Sequence, residues 1–252
     1  MSKKMLPVRL QENVIVDAVF ELRFTSSKGF SELVPGSARE IFGDITAIEK
    51  TPIADLPSQL REMDPNLQHQ PTMRMVWEDI ILIIGDRTLG IGYGTKYPGW
   101  NTFKTHIYKL FECLDSSKLS SMISSVERYS FKYIDFIPKQ YYEKLEKPFP
   151  ITIKLGADEV INSAMKLQIE KKEEFGVSLF EFSAPVQAEI EDRSVTEGTL
   201  ISIDTVRFYN GNWESFKNDF NEYLENIHLV NKSCFFDAIS TELISRLGAE
   251  YE

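Results

Sequence analysis

The sequence is poor in cysteine and histidine, the residues that most often build disulfides, metal sites and redox centres. Its two cysteines, Cys113 and Cys234, stand far apart, and neither belongs to a Cys-x-x-Cys pair. The three histidines, His69, His106 and His228, are too scattered to give a metal-binding spacing. This composition excludes a disulfide-rich secreted scaffold and offers no zinc or redox motif. We therefore expect no cofactor.

Long apolar runs and an excess of positive charge are also missing. No stretch approaches the roughly 18 apolar residues that a membrane-spanning helix needs. The first residues, MSKKMLPVRLQE, lack the apolar core of a signal peptide. The 252-residue chain carries 28 Lys and Arg against 38 Asp and Glu, a net charge of -10, which argues against binding of phosphate backbones. We expect a cytoplasmic protein that contacts no membrane and whose main ligand is not a nucleic acid.

What the sequence does contain is one amphipathic pattern written twice. YPGWNTFKTHIYKLFECL, Tyr97–Leu114, is followed later by YNGNWESFKNDFNEYLENI, Tyr209–Ile227. Aligning Trp100 with Trp213 gives an offset of 113 residues (213 minus 100), and the same offset superimposes apolar positions that recur with helical spacing. The aligned apolar pairs are Phe103 with Phe216, Ile107 with Phe220, Leu110 with Tyr223, Phe111 with Leu224 and Leu114 with Ile227. Two copies of one helix predict two copies of one structural unit.

The elements predicted around these helices follow the same order in each half. A strand, a short helix, three strands and a long helix occur twice, which indicates a duplication within one domain. The predicted strands are Val14–Phe24, Met73–Trp77, Ile80–Ile84, Thr88–Tyr93, Val126–Ile137, Met165–Lys171, Val177–Ser183 and Thr199–Phe208. The predicted short helices are Gly29–Phe42, interrupted at Pro35-Gly36, and Asp158–Ser163, and an added helix, Phe235–Leu247, ends the chain.

This pattern predicts an α+β fold with an internally duplicated unit, each copy having an antiparallel meander and one long packed helix. Residues 1–125 form the first predicted unit, and residues 126–252 form the second with the added C-terminal helix. We expect the two units to make one compact, pseudo-symmetric body with a cleft between its halves. Pockets favour such interfaces, so the cleft is the first place to seek a ligand.

Charged residues within aromatic strands are the candidates for that cleft. Glu21 and Arg23 lie in the first half, and Arg128 and Asp135 lie in the second. We predict that they form a polar cluster where the halves meet. The alternative is that these side chains make only the polar face of each sheet. Neither interpretation assigns a catalytic, cofactor-binding or metal-binding residue.

Three stretches also resemble a known family. They are ENVIVDAVFELRF near the start, the Tyr-x-Gly-x-Trp-x-x-Phe step at Tyr209–Phe216 with its close copy at Tyr97–Phe103, and ERYSFKYIDFI near mid-chain. Together they resemble a sporadically distributed bacterial family of uncharacterised proteins of about 250 residues. The resemblance implies no particular activity. It implies a patchy occurrence, which is typical of genes on mobile or defence-related islands.

Three classes of function follow from these features. We favour a non-catalytic protein-interaction, sensor or accessory protein, and one candidate setting is a bacterial defence or toxin-neutralising system. In this interpretation the proline-rich segment Thr51–Pro71 and the acidic segment Pro185–Gly198 meet a protein partner. The alternative is a protein that binds a small ligand or nucleotide in the cleft. An enzyme is less favoured, because its best signal is one carboxylate pair, Asp17 and Glu21, on the same face of a strand.

Overall fold

The computed structural model describes residues 5–116, 119–159, 164–189 and 195–251. Its strands are β1 (Arg9–Leu10), β2 (Ile15–Ser26), β3 (Ala47–Lys50), β4 (Met73–Trp77), β5 (Ile80–Ile84), β6 (Thr88–Tyr93), β7 (Ile123–Pro138), β8 (Lys154–Leu155), β9 (Asp158–Glu159), β10 (Met165–Glu173), β11 (Gly176–Ala188), β12 (Thr196–Gly211) and β13 (Ala249–Glu250). Its α-helices are α1 (Phe30–Phe42), α2 (Ser58–Met63), α3 (Trp100–Ser116), α4 (Trp213–Ala238) and α5 (Thr241–Arg246). Short 3-10 turns occur at Pro52–Asp55, Leu119–Met122 and Lys139–Tyr141. The predicted mixed α+β class is confirmed.

Nine strands form one antiparallel sheet in the order β10-β11-β12-β7-β2-β6-β5-β4-β3. At its centre β2 pairs with β7, with Phe20 opposite Phe131. Outward from this pair, β6, β5 and β4 follow β2 on one side, and β12, β11 and β10 follow β7 on the other. An internal duplication predicts this order, although common ancestry of the halves stays a hypothesis. The predicted boundary between residues 125 and 126 falls inside β7.

Helices α3 and α4 lie antiparallel to each other on one face of the sheet. Phe111 of α3 stacks on Phe220 of α4 with ring centroids 3.9 Å apart, and Phe20 of β2 packs against both rings at 6.3 and 5.7 Å. Near the other end of α3, Phe103 packs on Phe131 of β7 at 5.4 Å. The apolar stripe that predicted each helix is therefore the surface that the helix buries against the sheet.

The first short helix differs from its prediction. α1 runs unbroken from Phe30 to Phe42 with Pro35 inside it. Proline removes one helical hydrogen bond, a local cost that tertiary packing can outweigh. Here Phe30, Val34 and Ala38, spaced by four residues, are all fully buried. Burial of this stripe holds the helix together across the proline.

The C-terminal region is also divided differently from the prediction. α4 continues past Ile227 to Ala238, so Phe235 belongs to its last turn. A separate helix, α5, follows and is capped by Ser240, whose hydroxyl accepts from the Leu243 N–H at 3.1 Å. The end of α4 and α5 cover a second apolar core against β11 and β12. The predicted helix Asp158–Ser163 begins as strand β9, and residues 160–163 lie outside the described residues.

The proline-rich segment Thr51–Pro71 is folded onto one end of the sheet. It contains a 3-10 turn and the short helix α2. Arg61 of α2 forms an ion pair at 2.9 Å with Asp86, in the turn between β5 and β6, and the Ser31 hydroxyl donates to the same carboxylate at 2.6 Å. The segment is therefore tied to the turn between β5 and β6, and that turn also contacts α1. None of the helices in the described ranges is long and apolar enough to cross a bilayer.

Candidate functional site

Three of the four charged residues predicted to cluster lie together at the centre of the sheet. Glu21 accepts from the Arg23 Nε at 2.6 Å and from an Arg128 guanidinium nitrogen at 3.3 Å. Arg23 and Arg128 are direct partners across β2 and β7. One carboxylate thus separates two facing guanidinium groups, which would otherwise repel each other. The side chains are 20 to 27% exposed.

Asp135 lies apart from the other three, on the opposite face of the sheet. Phe20 and Phe131 face the helices, so the alternation of side chains turns Glu21 and Arg23 the other way. Arg128 and Asp135 are seven residues apart on a regular part of β7, and an odd separation places them on opposite faces. The structure therefore joins Glu21, Arg23 and Arg128 and brings Asp135 to the helix side.

On the helix side Asp135 lines a cavity of about 300 Å³. Both predicted units contribute walls to this cavity. The first unit supplies the segment from Val8 to Ile15 and the start of α3, and the second supplies β7 and the middle of α4. The cavity therefore lies at the seam between the halves. Its volume is at the lower end of the range found for small-molecule sites.

The Asp135 carboxyl is the most deeply buried acid in this wall. Asp135 is 4% exposed, and burial raises the pKa of its carboxyl to about 8. Next to it the hydroxyls of Tyr97 and Tyr133 are hydrogen-bonded at 2.7 Å, and burial raises the pKa of both phenols. At neutral pH the carboxyl is mostly protonated, and both phenols are neutral. A ligand that compensates a negative charge would favour the ionised carboxylate.

A stacked pair of rings forms another wall of the cavity. Trp100, the first residue of α3, lies parallel to His228 of α4 with centroids 3.8 Å apart and an interplanar angle of 3°. The His228 Nδ1 is buried and has no hydrogen-bond partner. Burial, together with the smaller effects of Lys232 and Lys104, lowers the pKa of His228 to about 3. His228 is therefore neutral at physiological pH, and one of its ring nitrogens is buried without a partner.

Asn231, one turn beyond His228, holds a fixed amide in the same wall. Its nitrogen donates to the backbone oxygens of Phe131 at 3.0 Å and Ile203 at 2.9 Å, and to the Thr205 hydroxyl at 3.2 Å. These acceptors fix which side-chain atom is nitrogen. The Asn231 residue is 1% exposed, and its Oδ1 has no partner. A buried acceptor without a donor is costly, which makes it a candidate contact for a ligand.

The charges at the edge of the cavity are largely balanced. Arg9 forms two contacts with Glu250, at 2.5 and 3.0 Å. Glu12 accepts from the Tyr141 hydroxyl at 2.7 Å, and Lys232 reaches the Val8 carbonyl at 3.5 Å. Arg9 and Glu250 form an ion pair, and the edge also carries one cation, Lys232, and one anion, Glu12. Asp135 is the ionisable group of the wall without an opposite charge to balance it.

Sequence analysis missed His228 and Asn231, although a signal for both exists. The buried stripe of α4 runs through Phe220, Leu224 and Ile227, and the same helical spacing continues to Asn231 and then to Phe235. A prediction that ends the helix at Ile227 leaves the polar members of the stripe in a loop. Polar residues on the buried side of a long helix are the pattern that would have indicated this wall.

Other candidate chemistries gain no support from the geometry. Within the described ranges, no group of three His, Cys, Asp or Glu residues is arranged to hold a metal ion. Asp17 and Glu21 share the sheet face that carries Arg23 and Arg128, away from the cavity. No protein-family model matches this chain, and no curated protein matches it. The resemblance noted from the three stretches stays a prediction.

Proposed function

We propose that this protein binds a small organic molecule in the cavity beside Asp135 and acts as a sensor or accessory protein. The observation that carries the proposal is a cavity of about 300 Å³ whose wall contains buried polar atoms without partners, Nδ1 of His228 and Oδ1 of Asn231. Native proteins usually satisfy such atoms with a protein group, a water molecule or a ligand, and a molecule in the cavity can supply the missing partners. The aromatic rings of the wall supply the apolar contact that small-molecule sites use.

The position of the cavity also supports a sensing role. Its walls come from the N-terminal segment, α3, β7 and α4, so a ligand touches elements of both halves at once. A molecule bound there stabilises the folded state and the contact between α3 and α4 by mass action. This agrees with the ligand-binding alternative predicted from the sequence, which places the site in the cleft between the halves.

A thermal-shift screen with nucleotides and small metabolites tests the proposal. We expect at least one compound to raise the melting temperature of the wild-type protein and to lose that effect in Ile15→Phe, because Ile15 lines the cavity and a larger side chain fills it. Ile48→Phe is the matched control, since Ile48 is 53% exposed on β3. Compounds that shift all three proteins equally, or a screen with no shift, would contradict the proposal.

A second candidate function, binding of a protein partner, is favoured by one surface feature. Leu56, Leu60 and Met63 are 36, 53 and 80% exposed in and just before α2, while Arg61 between them anchors the helix to Asp86. An apolar stripe held outward on an anchored helix is typical of a contact surface. With a net charge of -10, the protein favours a basic partner with an apolar patch.

Comparative capture tests this second function. Wild-type protein and the double variant Leu60→Ser/Met63→Ser are used as bait in lysate of the native host. We expect a basic protein that binds the wild type and loses at least about tenfold in affinity for the variant. Phe175→Ser, which changes an apolar residue that is 68% exposed elsewhere, is the control. Equal capture by all three baits would contradict a role for α2. The predicted place in a bacterial defence or toxin-neutralising system is part of this second proposal.

A further inference from the structure

Two buried side-chain atoms of residues that line the cavity lack a hydrogen-bond partner. The Asn231 Oδ1 is an acceptor, and the neutral His228 ring presents Nδ1 without a partner. The Asp135 carboxyl lies in the same wall and is 4% exposed. The Asn231 oxygen and the ionised form of the Asp135 carboxyl are hydrogen-bond acceptors. A molecule that contacts both must supply N–H or O–H donors to them.

The wall also suits a positive charge. Asp135 is the acid that no described cation balances, while Arg9 is already bound by Glu250. Trp100 and the tyrosine pair Tyr97–Tyr133 supply aromatic rings beside the carboxyl. Aromatic faces attract cations, and a carboxylate gives charge-assisted hydrogen bonds to N–H donors. Charge, hydrogen-bonding pattern and aromatic contact agree on one ligand chemistry.

We infer that the cavity binds a small organic cation, a primary amine, amidine or guanidinium carried on an apolar body, with its N–H donors directed to Asp135 and Asn231. This inference rests on the proposed ligand-binding function and names the chemical class of the ligand. The cationic end meets the carboxyl and the amide oxygen. The apolar body lies against the ring of Trp100.

Proton release accompanies such binding. Free protein holds a proton on Asp135 at pH 7, and a bound cation favours the carboxylate, so that proton passes to solvent. The titratable and charged groups that line the cavity with Asp135 are Tyr97 and Tyr133, His228 and Lys232 from α4, and Arg9 and Glu12 from the N-terminal segment. Burial keeps the phenols and the imidazole neutral from pH 6 to 8. Affinity for a cation should therefore rise about tenfold per pH unit up to about pH 8.

Three probes of nearly the same shape test the inference: benzamidine, benzamide and benzoate, which are cationic, neutral and anionic. Calorimetry of the wild-type protein should give the tightest binding for benzamidine, with about one proton released at pH 7 as judged from buffers of different ionisation enthalpy. Asp135→Asn should weaken benzamidine at least about tenfold and should leave benzamide nearly unchanged. Asp204→Asn is the matched control, because burial also raises the pKa of Asp204 but it lies on the opposite face of the sheet.

The outcomes separate the two proposals. Binding of benzamide or benzoate at least as tight as that of benzamidine would overturn the inference that the ligand is a cation. It would leave the proposed ligand-binding function in place. Binding of benzamidine without proton release, or with equal loss in both Asn variants, would also overturn it. Failure of all three probes, together with a thermal-shift screen that gives no shift, would overturn both proposals.

Discussion

The two tryptophan-headed helices lie in matching places, yet their surroundings differ. Trp213 is 3% exposed, stacks on Phe111 at 5.2 Å and donates its N–H to Asp115 at 3.2 Å. Trp100 stacks on His228 instead and lines a cavity. His228 and Asp115 are themselves related by the offset of 113 residues (228 minus 115). At one end of the helix pair the tryptophan is therefore packed in a closed core, and at the other end it borders an open cavity.

The central strands show the same contrast. Phe20 and Phe131, which pair across the middle of the sheet, are 111 residues apart, and the same offset relates Phe24 to Asp135. Phe24 packs on Phe30 of α1 with centroids 4.7 Å apart, so its site is filled by aromatic rings. Asp135 faces the cavity. The comparison teaches that one half keeps a packed core where the other half holds a polar pocket.

The largest effect on stability should come from placing a carboxyl at the filled site. Phe24→Asp places a carboxyl in the filled site, so the variant loses aromatic packing and buries a charge. We expect a loss of more than about 5 kcal/mol in the free energy of unfolding, enough to prevent folding. Circular dichroism and urea titration measure this. Phe24→Leu is the control and should cost about 1 to 2 kcal/mol. A folded, stable Phe24→Asp protein would show that the two sites do not differ as described.

The reverse test removes the ionisable carboxyl from the open site. The folded-state pKa of Asp135 is about 8, above its unfolded value, so the folded state holds an extra proton between about pH 4 and 8. Its contribution to stability is therefore lost as pH rises, by about 1.4 kcal/mol per unit. The free energy of unfolding of Asp135→Asn should equal that of the wild type near pH 4 and exceed it by about 4 kcal/mol near pH 7.

Urea unfolding of both proteins from pH 4 to 8 measures this difference. His228, whose pKa is lowered to about 3, contributes the opposite slope below about pH 6.5 in both proteins, so it cancels from the comparison. Asp204→Asn serves as the control on the other sheet face. A gap between wild type and Asp135→Asn that stays constant with pH would contradict the burial of Asp135.

The two tryptophans should differ in what their removal costs. Trp213→Ala leaves a void in a closed core, and we expect it to lower the free energy of unfolding by about 3 to 4 kcal/mol. Trp100→Ala only enlarges an existing cavity, and we expect about 2 kcal/mol. Guanidinium unfolding of both variants gives the comparison. Equal costs would mean that the two tryptophans are packed alike.

The contact that closes the Trp213 side should have the smallest effect. Asp115 accepts from Trp213 and lies 2.5 Å from the Lys217 ammonium, but its side chain is 31% exposed. We expect Asp115→Ala to lower the free energy of unfolding by about 1 kcal/mol, and Asp115→Asn to lower it by less. A loss above 3 kcal/mol, measured by the same unfolding assay, would show that this hydrogen bond and not ring packing closes the site.

Much of the fold could be predicted from the sequence, because local patterns determine it. The strands Met73–Trp77, Ile80–Ile84 and Thr88–Tyr93 have the predicted bounds, since β-rich runs between turn residues specify a meander. The stripes headed by Trp100 and Trp213 predicted both long helices. α1 was predicted to break at Pro35 because the burial that outweighs the proline is a tertiary effect.

The candidate site was less predictable. Side chains alternate between the two faces of β7, so Arg128 and Asp135 lie on opposite faces. This could have been inferred from their seven-residue spacing. The cavity itself could not be inferred, because it depends on how the N-terminal segment, α3 and α4 meet in space. His228 faces Trp100 only because the two helices run antiparallel with this register. The register between two helices has no local sequence signal, whereas the polar residues on the buried side of α4 do.

The most direct test of an open Trp100 side and a closed Trp213 side uses the indole N–H resonances of the three tryptophans. Nitrogen-15 spectra are recorded while benzamidine, benzamide and benzoate are added to the wild-type protein. We predict that the Trp100 signal shifts in a saturable way, while those of Trp213 and Trp77 stay in place. A saturable shift at Trp213, or none at Trp100 with any probe, would contradict the account.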